Sequence, residues 1–394
     1  MKMIEGNIVS SPPSHIDNTV VDGMSIVQGL PTRLPPHLRG VGETIISKIM
    51  KLAEHRVDFC CDVYESPSIK DPERDGRGNI ELPSQFFFGP CQKTPCNFSD
   101  LLKISAFKKA FLRFLIKDFE NISYAPIMKN KILYCSVDNK CKSFQMADGV
   151  WLVQDVLELE GHHNEADTRV AFHLAHINQF HPGNTIVRGN DTDIAFVLAA
   201  TVNNFSHMRV WYDFGVDNNR RYIDMTSVVN GVEHIEALIG IYLFTGCDYS
   251  PAFHRKGKIK PAQIMLKDQK YIDAFSELGL SISTLDLTED IMETIENFTC
   301  HMFGHKKETD INKALYTTFC KKYKPKTAEK PLEAIKAIEP TVFPPCRNVL
   351  LEQIKRTFFI CTLYKNAHLS DPSCGLLPIN WGFDMDQSGK YIIR

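Results

Sequence analysis

The sequence predicts an α/β fold with a mainly parallel central sheet flanked by helices, and three observations lead to this prediction. Short apolar runs rich in β-branched residues occur at 19–21, 56–61 and 184–187. Each run leads into an aspartate, and amphipathic helices are predicted over 41–55 and over a segment that ends at Phe180. Hydrophobic residues make up 43% and charged residues 23% of the 394 residues, which is ordinary for a globular chain with a substantial core.

The order of the predicted elements suggests one large domain with an appendage. Residues 1–18 are polar and are expected to form a loose N-terminal arm, and residues 19–285 are expected to form the main domain. Within that domain, residues 63–150 are predicted to be an insertion or an arch-like region. Residues 286–394 are predicted to be a mostly helical C-terminal region with a tail that contains glycine and proline.

Composition narrows the classes of function. The net charge of −2 and the isoelectric point near 6.7 give no overall basic signal, so any nucleic acid must be met by local basic segments. No signal-peptide pattern and no long apolar run is found, and the twelve cysteines include no Cys-x-x-Cys pair. We therefore expect an intracellular chain with reduced thiols that does not bind membranes, and we favour the nucleus over the cytoplasm.

Acidic side chains recur where predicted strands end or where the next helix begins. They are Asp22, Asp62, Glu165, Asp167, Asp191, Asp193 and Asp248. Each one alone has an ordinary explanation as a helix cap or a turn residue. Parallel strands, however, bring such ends together at one edge of a sheet, where clustered carboxylates repel one another unless a cation lies among them. Oxygen ligands of this kind suit Mg²⁺ or Mn²⁺, and two such ions can support phosphodiester hydrolysis.

Two groups of basic residues accompany these carboxylates. Lys70, Arg74 and Arg77 follow Asp62, whereas Arg255, Lys256, Lys258 and Lys260 follow Asp248. Both groups are candidate contacts for nucleic-acid phosphates, although a solvated charged surface is the simpler alternative. His173 and His176 fall on the predicted helix that ends at Phe180 and are expected on its surface.

The order and spacing of these motifs resemble the flap-endonuclease/XPG group of structure-specific nucleases, which is built on a PIN-like domain. The matching motifs are Val-Asp-Gly-Met-Ser-Ile at Asp22, Asp62 with the basic residues behind it, Glu-Ala-Asp at 165–167, Asp-Thr-Asp at 191–193 and Gly-Cys-Asp-Tyr at 246–249. The similarity covers roughly residues 19–265. The chain also resembles a group of animal proteins, often associated with transposons, that carry Glu-Ala-Asp-Thr-Arg, Asp-Thr-Asp and Thr-Gly-Cys-Asp.

The resemblance implies a PIN-like fold and a two-metal nuclease that acts on branched or flapped DNA, as in repair or recombination. Asp22, Asp62, Glu165 and Asp167 would surround one Mg²⁺ or Mn²⁺ ion, and Asp191, Asp193 and Asp248 a second, with Asp191 shared. Lys70 and Arg74 would stabilise charge on the scissile phosphate, and Asp191, shared by the two ions, is the third residue assigned to catalysis.

Two alternatives stay open at the level of the sequence. One is a PIN-type ribonuclease that uses the same metal ligands on RNA. The other is a nuclease-derived protein that binds nucleic acid without cleaving it. All seven carboxylates are present, which favours an active enzyme over the second alternative.

Overall fold

The computed structural model describes residues 8–9, 11–76, 86–280, 287–323 and 338–394. Within these residues a nine-stranded sheet forms the centre of the molecule, in the strand order β1-β9-β8-β7-β2-β3-β4-β5-β6. The strands are β1 Ile8–Val9, β2 Asn18–Asp22, β3 Arg56–Cys60, β4 Ile132–Val137, β5 Lys140–Ala147, β6 Val150–Asp155, β7 Asn184–Gly189, β8 Arg209–Phe214 and β9 Arg221–Asp224.

The five central strands, β8, β7, β2, β3 and β4, run parallel, and antiparallel strands extend the sheet at both sides. The predicted α/β class, with a large central sheet flanked by helices, is therefore confirmed. Strand β2 pairs on one side with β3, the next strand along the chain, and on the other side with β7, which comes much later in the chain. Such a reversal of strand order opens a crevice at the carboxyl edge of the sheet, where α/β proteins commonly bind ligands.

Helices cover both faces of the sheet. They are α1 Gly23–Gln28, α2 Leu38–Ile49, α3 Asp71–Gly76, α4 Phe98–Leu101, α5 Ser105–Phe119, α6 Ala125–Met128, α7 Ala166–Phe180, α8 Thr192–Thr201, α9 Met225–Gly231, α10 Ile235–Phe244, α11 Ile259–Met265, α12 Gln269–Leu280, α13 Glu289–Met302, α14 Ile311–Lys322 and α15 Arg347–Lys365.

Alternation along β2 divides the hydrophobic core between the two faces. Val20 belongs to the cluster formed with α7, α8 and α10, whereas Val21 belongs to the cluster formed with α2 and α5. Because side chains alternate across a strand, Asp22 points to the same face as Val20. Cys60 in β3 and Val187 in β7 also belong to the first cluster, so the carboxyl edge beyond them faces α7 and α8.

The C-terminal part of the chain packs against the helices that follow the sheet. Helix α15 contacts α8, α10 and α12, and its buried residues share one hydrophobic cluster with them. The tail ends in a two-stranded antiparallel hairpin, β10 Phe383–Met385 and β11 Tyr391–Ile393. Within the described residues no single helix is both long and apolar enough to cross a membrane, and only the pair α9 and α10, bent by 104°, passes that test jointly.

Several elements differ from the sequence-based expectation. Residues 132–147, which fall inside the predicted insertion, form strands β4 and β5 of the central sheet. The helix expected at 41–55 is α2, which ends at Ile49, so that residues 50–55 turn into β3. Two residues of the expected N-terminal arm, Ile8 and Val9, pair with β9.

Candidate metal centre

Three of the predicted aspartates meet at the carboxyl edge of neighbouring strands. Asp22 ends β2 and lies opposite Cys60 of β3, and Val21 lies opposite Arg188 of β7. Asp62 and Asp191 each lie two residues beyond the end of a flanking strand, β3 and β7 respectively. Asp62 and Asp191 both raise the pKa of Asp22 through charge repulsion, which requires the three carboxylates to be close.

Local chain geometry explains why these aspartates stand where they do. Asp22 caps α1 by accepting a hydrogen bond from the Met24 N–H at 2.9 Å, and Asp191 caps α8 by accepting one from the Asp193 N–H at 3.0 Å. Asp62 accepts a 2.8 Å bond from the Ala166 N–H at the start of α7. The capping role that the sequence suggested is therefore present. Each of these three bonds is accepted by Oδ1 of its aspartate.

Glycine at position 23 allows α1 to begin directly behind Asp22. A Cβ atom there would lie 2.8 Å from Phe59 Cε1 and 2.9 Å from the carbonyl oxygen of Cys60. Gly246 has a similar role before Asp248, because its φ is +116° and a Cβ atom would lie 2.5 Å from Ala252 Cα. Both glycines of the sequence motifs thus permit a close backbone approach that sets an acidic residue at the edge of the site.

Three of the remaining acidic residues come from helix starts and are largely buried. Glu165 and Asp167 lie at the beginning of α7 and are 4% and 8% exposed, and Asp193 in the first turn of α8 is 4% exposed. Burial raises the pKa of Asp167 well above its ordinary range, and Asp191, Asp193 and Glu165 raise it further. A carboxylate in this position gains from a bound cation or a proton.

Burial also raises the pKa values of two other members of the cluster. The pKa of Asp22 rises to about 7, through burial and then the charges of Asp62 and Asp191. The pKa of Asp193 rises to about 6, through burial and then the charges of Asp191 and Asp248, against a hydrogen bond from Tyr242 that lowers it. Protons and cations therefore compete for this site near neutral pH.

Lys70 places a positive charge among these carboxylates. Its Nζ lies 2.7 Å from Glu165 Oε2 and 3.1 Å from Asp248 Oδ2, and 5.6 Å from the ring centre of Tyr249. Burial alone would lower the pKa of Lys70, but Glu165 and the other acidic groups raise it well above its ordinary value. The lysine stays charged and partly neutralises the cluster.

Tyrosines that the sequence analysis did not single out hold the carboxylates in place. Tyr242 donates its hydroxyl to Asp193 Oδ1 at 2.5 Å, and Tyr64 donates to Asp62 Oδ2 at 3.1 Å. Tyr212 donates to the main-chain carbonyl of Asp191 at 2.6 Å. The contacts of Tyr242 and Tyr212 span 49 and 21 residues, so no local pattern could have revealed these two.

A buried polar network fixes α7 against the sheet. His173 on α7 is fully buried, with Nδ1 2.6 Å from Asp58 Oδ1 and Nε2 2.6 Å from Ser136 Oγ. Asp58 also accepts two 2.7 Å bonds from the fully buried Arg56, which lies 2.9 Å from His176. The expectation that His173 lies on the helix surface is wrong, because that face of α7 packs on β3 and β4.

A basic pocket lies on the same edge of the sheet as Asp22 and Asp191. Its volume is about 630 Å³, and Lys48, Arg188 and Arg220 line it together with Asn190, the residue before Asp191. Arg188 and Arg220 both contact the buried Asp213, and Lys48 donates to the Gly29 carbonyl at 2.8 Å. Three cations against one carboxylate leave this pocket positive, and the sequence analysis missed it because the cations are far apart in the chain.

The basic residues predicted after Asp248 have different surroundings. Lys258 Nζ lies 3.9 Å from the ring centre of Tyr242 and donates to the carbonyls of Tyr242 and Gly246. Lys256 Nζ lies 3.9 Å from the ring centre of Phe303 and donates to the Met302 carbonyl. Arg255 is largely exposed, with its guanidinium 4.0 Å from Glu339 Oε2, and Lys260 is exposed, so both side chains face solvent. Of the first basic group, Arg77 and the side chain of Arg74 lie outside the described residues.

The donor set of the site fits a hard divalent cation by its chemistry. The seven acidic side chains offer only oxygen ligands, and three of them have raised pKa values. Their spacing is wider than direct coordination requires. Among the described residues, three metal-ligating groups within 4.8 Å of one another occur only at His15, Asp17 and His55, on another part of the sheet.

Comparison of the chain with protein-family models gave no match, and neither did a comparison with curated protein sequences.

Proposed function

We propose that this protein is a divalent-metal-dependent nuclease that hydrolyses phosphodiester bonds in DNA and has a PIN-like, flap-endonuclease/XPG-like fold. The observation that carries the proposal is the convergence of acidic residues from separate segments at one sheet edge. Burial and mutual repulsion raise the pKa values of Asp22, Asp167 and Asp193 there. Carboxylates held in such an unfavourable arrangement are suited to bind Mg²⁺ or Mn²⁺.

The residues divide into two ligand groups that share Asp191. Asp22, Asp62, Glu165 and Asp167 would hold one ion, and Asp191, Asp193 and Asp248 the other. The chemistry that divalent ions supply when bound at such groups is charge neutralisation on the phosphate and a lowered pKa of the attacking water. Tyr242 and Tyr64 orient Asp193 and Asp62 for this role through their hydroxyl bonds.

Lys70 and the basic pocket supply the positive charge that a nucleic-acid backbone requires. Lys70 would exchange its contacts with Glu165 and Asp248 for a non-bridging oxygen of the scissile phosphate. Lys48, Arg188 and Arg220 would bind a neighbouring phosphate of the same strand. This arrangement provides adjacent sites for the reacting phosphate and for the backbone beside it.

The topology supports the finer fold assignment. Strands β2, β3 and β7 are adjacent and parallel, and the three aspartates that the resemblance pairs with its motifs follow them in the same order. The Glu-Ala-Asp motif begins α7, which crosses over to β7, and the Asp-Thr-Asp motif begins α8. Motifs and sheet order are therefore consistent with a PIN-like nuclease domain.

The test is cleavage of end-labelled substrates by the purified full chain, with Mg²⁺ or Mn²⁺ against EDTA. The substrates are 5′-flap DNA, blunt duplex, single-stranded DNA and RNA. Asp191→Asn combined with Asp193→Asn should abolish metal-dependent cleavage while the protein stays folded. Asp155→Asn on the exposed strand β6 is the matched control and should cleave normally.

Each alternative has its own outcome in this experiment. Cleavage of RNA without cleavage of DNA would replace the proposal with a PIN-type ribonuclease. Absence of cleavage on every substrate, with salt-dependent binding retained, would establish a binding protein that keeps the fold without turnover.

A further inference from the structure

A second group of potential metal ligands lies at the amino-terminal edge of the sheet, away from the carboxylate cluster. Asp17 directly precedes β2, and His55 directly precedes the neighbouring parallel strand β3. The His55 N–H donates to the Asp17 carbonyl at 3.0 Å, so the backbone holds these two positions together. His15, two residues before Asp17, completes the group.

The three side chains point at one another. His15 Nε2 lies 2.8 Å from Asp17 Oδ1, and His55 Nε2 lies 4.0 Å from the same oxygen. One ligand atom from each residue can be chosen so that all three lie within 4.8 Å of one another. Ligand atoms around a tetrahedral zinc ion are roughly 3.4 Å apart, so small side-chain adjustments bring the three to coordinating positions.

Contacts with neighbouring residues fix the orientation of two of these ligands, His15 and Asp17. His15 Nδ1 lies 2.9 Å from Glu54 Oε1, which leaves Nε2 as the nitrogen that faces Asp17 and His55. Asp17 Oδ2 accepts a 2.8 Å bond from the Asn184 N–H, which turns Oδ1 toward the histidines. A carboxylate behind a histidine is the usual support of a zinc-bound imidazole, because it fixes the ring and its tautomer.

We propose that His15, Asp17 and His55 form a zinc-binding site, with Glu54 as the residue that orients His15. Two imidazoles and one carboxylate select zinc and similar borderline cations over Mg²⁺. His15 and His55 are about half and two-thirds exposed, so solvent supplies the fourth ligand position. The ion would join the segment before β2 to the turn before β3 and would stabilise this edge of the sheet.

The proposal is tested on the full chain by calorimetric titration with Zn²⁺ in millimolar Mg²⁺, which is added to compete for the carboxylate cluster. Wild type should bind one equivalent. His15→Asn and His55→Asn should each weaken binding at least about hundredfold, and Glu54→Gln should weaken it about tenfold. His37→Asn, an exposed histidine at the start of α2, is the matched control and should bind zinc as wild type does.

A second readout locates the ion. Co²⁺ in place of Zn²⁺ should give the intense visible absorption of a tetrahedral site, and His55→Asn should abolish it. Circular dichroism of each variant checks that the fold is retained. No uptake of zinc by wild type, or equal uptake by wild type and His55→Asn, would overturn the proposal and leave a hydrogen-bonded cluster around a protonated His15.

Discussion

Replacing Asp22 with asparagine should stabilise the metal-free protein at pH 8. Burial, together with Asp62 and Asp191, raises the pKa of Asp22 to about 7 from an ordinary 3.8. The folded state therefore binds this proton more tightly than the unfolded state does. Below about pH 4 the group is protonated in both states, and as the pH rises to 7 the folded protein loses stability.

The magnitude follows from the same two values. At about 1.4 kcal/mol per pH unit, the difference between about 7 and 3.8 corresponds to an upper limit of about 4 kcal/mol of lost stability at pH 8. Asparagine can still accept the Met24 N–H bond that caps α1, so the substitution removes the charge and keeps the cap. We expect Asp22→Asn to recover a large part of this free energy.

The assay is urea unfolding in EDTA at pH 5.5, 6.5 and 8.0, repeated in 10 mM Mg²⁺. Without metal, wild type should lose stability as the pH rises and Asp22→Asn should lose much less. Mg²⁺ should stabilise wild type at pH 8 and have little effect on the variant. Asp155→Asn, whose exposed carboxylate pairs with Lys142, should follow wild type in both conditions.

Two results would refute this reasoning. If Asp22→Asn is no more stable than wild type at pH 8 in EDTA, the carboxylate is not held at an energetic cost. If Mg²⁺ stabilises wild type and the variant equally, the ion binds elsewhere and Asp22 is only a helix cap.

Three further predictions concern single side chains. Lys70→Met should raise the Mg²⁺ affinity about tenfold in calorimetry, because the ammonium group that competes for Glu165 and Asp248 is lost. The same variant should cleave more slowly, because it lacks the charge proposed to contact the scissile phosphate. Lys70→Arg, which keeps the charge, should leave the affinity unchanged. The hydroxyl of Tyr242 lowers the pKa of Asp193, so Tyr242→Phe should raise that pKa and move the onset of cleavage to higher pH. An unchanged pH profile would contradict this prediction. Asp58→Asn should cost about 3–5 kcal/mol in urea unfolding, since it leaves Arg56 buried without its carboxylate; a loss below about 1 kcal/mol would show that the network is dispensable.

The central strands and the positions of the acidic residues could be predicted from the sequence because the signals are local. Strands β2, β3 and β7 are short apolar runs with clear ends, and each is followed within two residues by an aspartate or ends on one. Helix α10, Ile235–Phe244, likewise coincides with a local signal, because its residues 237–244 are an apolar run. The parallel order then follows from the general behaviour of α/β sheets.

Strands β4 and β5 were both missed; β4, Ile-Leu-Tyr-Cys-Ser-Val, is a mostly apolar run that the sequence analysis passed over, whereas β5 carries no decisive pattern. Strand β5 reads Lys-Cys-Lys-Ser-Phe-Gln-Met-Ala and mixes charged, polar and apolar residues. Its pairing with β4, and that of β4 with β3, supplies the stabilisation that its own residues do not indicate. Strand identity in this part of the sheet depends on partners far away in the chain.

The candidate site shows the same contrast between local sequence signals and long-range contacts. The carboxylates were found from local motifs, whereas the contacts that position them join distant segments, such as Lys70 with Glu165 or Tyr242 with Asp193. Lys258 looked like part of a solvated basic group, yet it lies against Tyr242 and donates to main-chain carbonyls. Charge in a sequence indicates neither burial nor partner, so such roles require the folded chain.

The capping bonds and the metal proposal are compatible. A helix cap requires a polar side chain, whereas a metal ligand of this kind requires a carboxylate. Asparagine caps a helix about as well as aspartate does and carries no charge. At positions 22 and 191 the chain uses aspartate where a neighbouring carboxylate repels it. Asp167 is buried at a raised pKa, which is a cost that an uncharged side chain would not carry. Helix geometry thus explains why a polar side chain stands at these positions, and the cation binding that we propose would account for a carboxylate there.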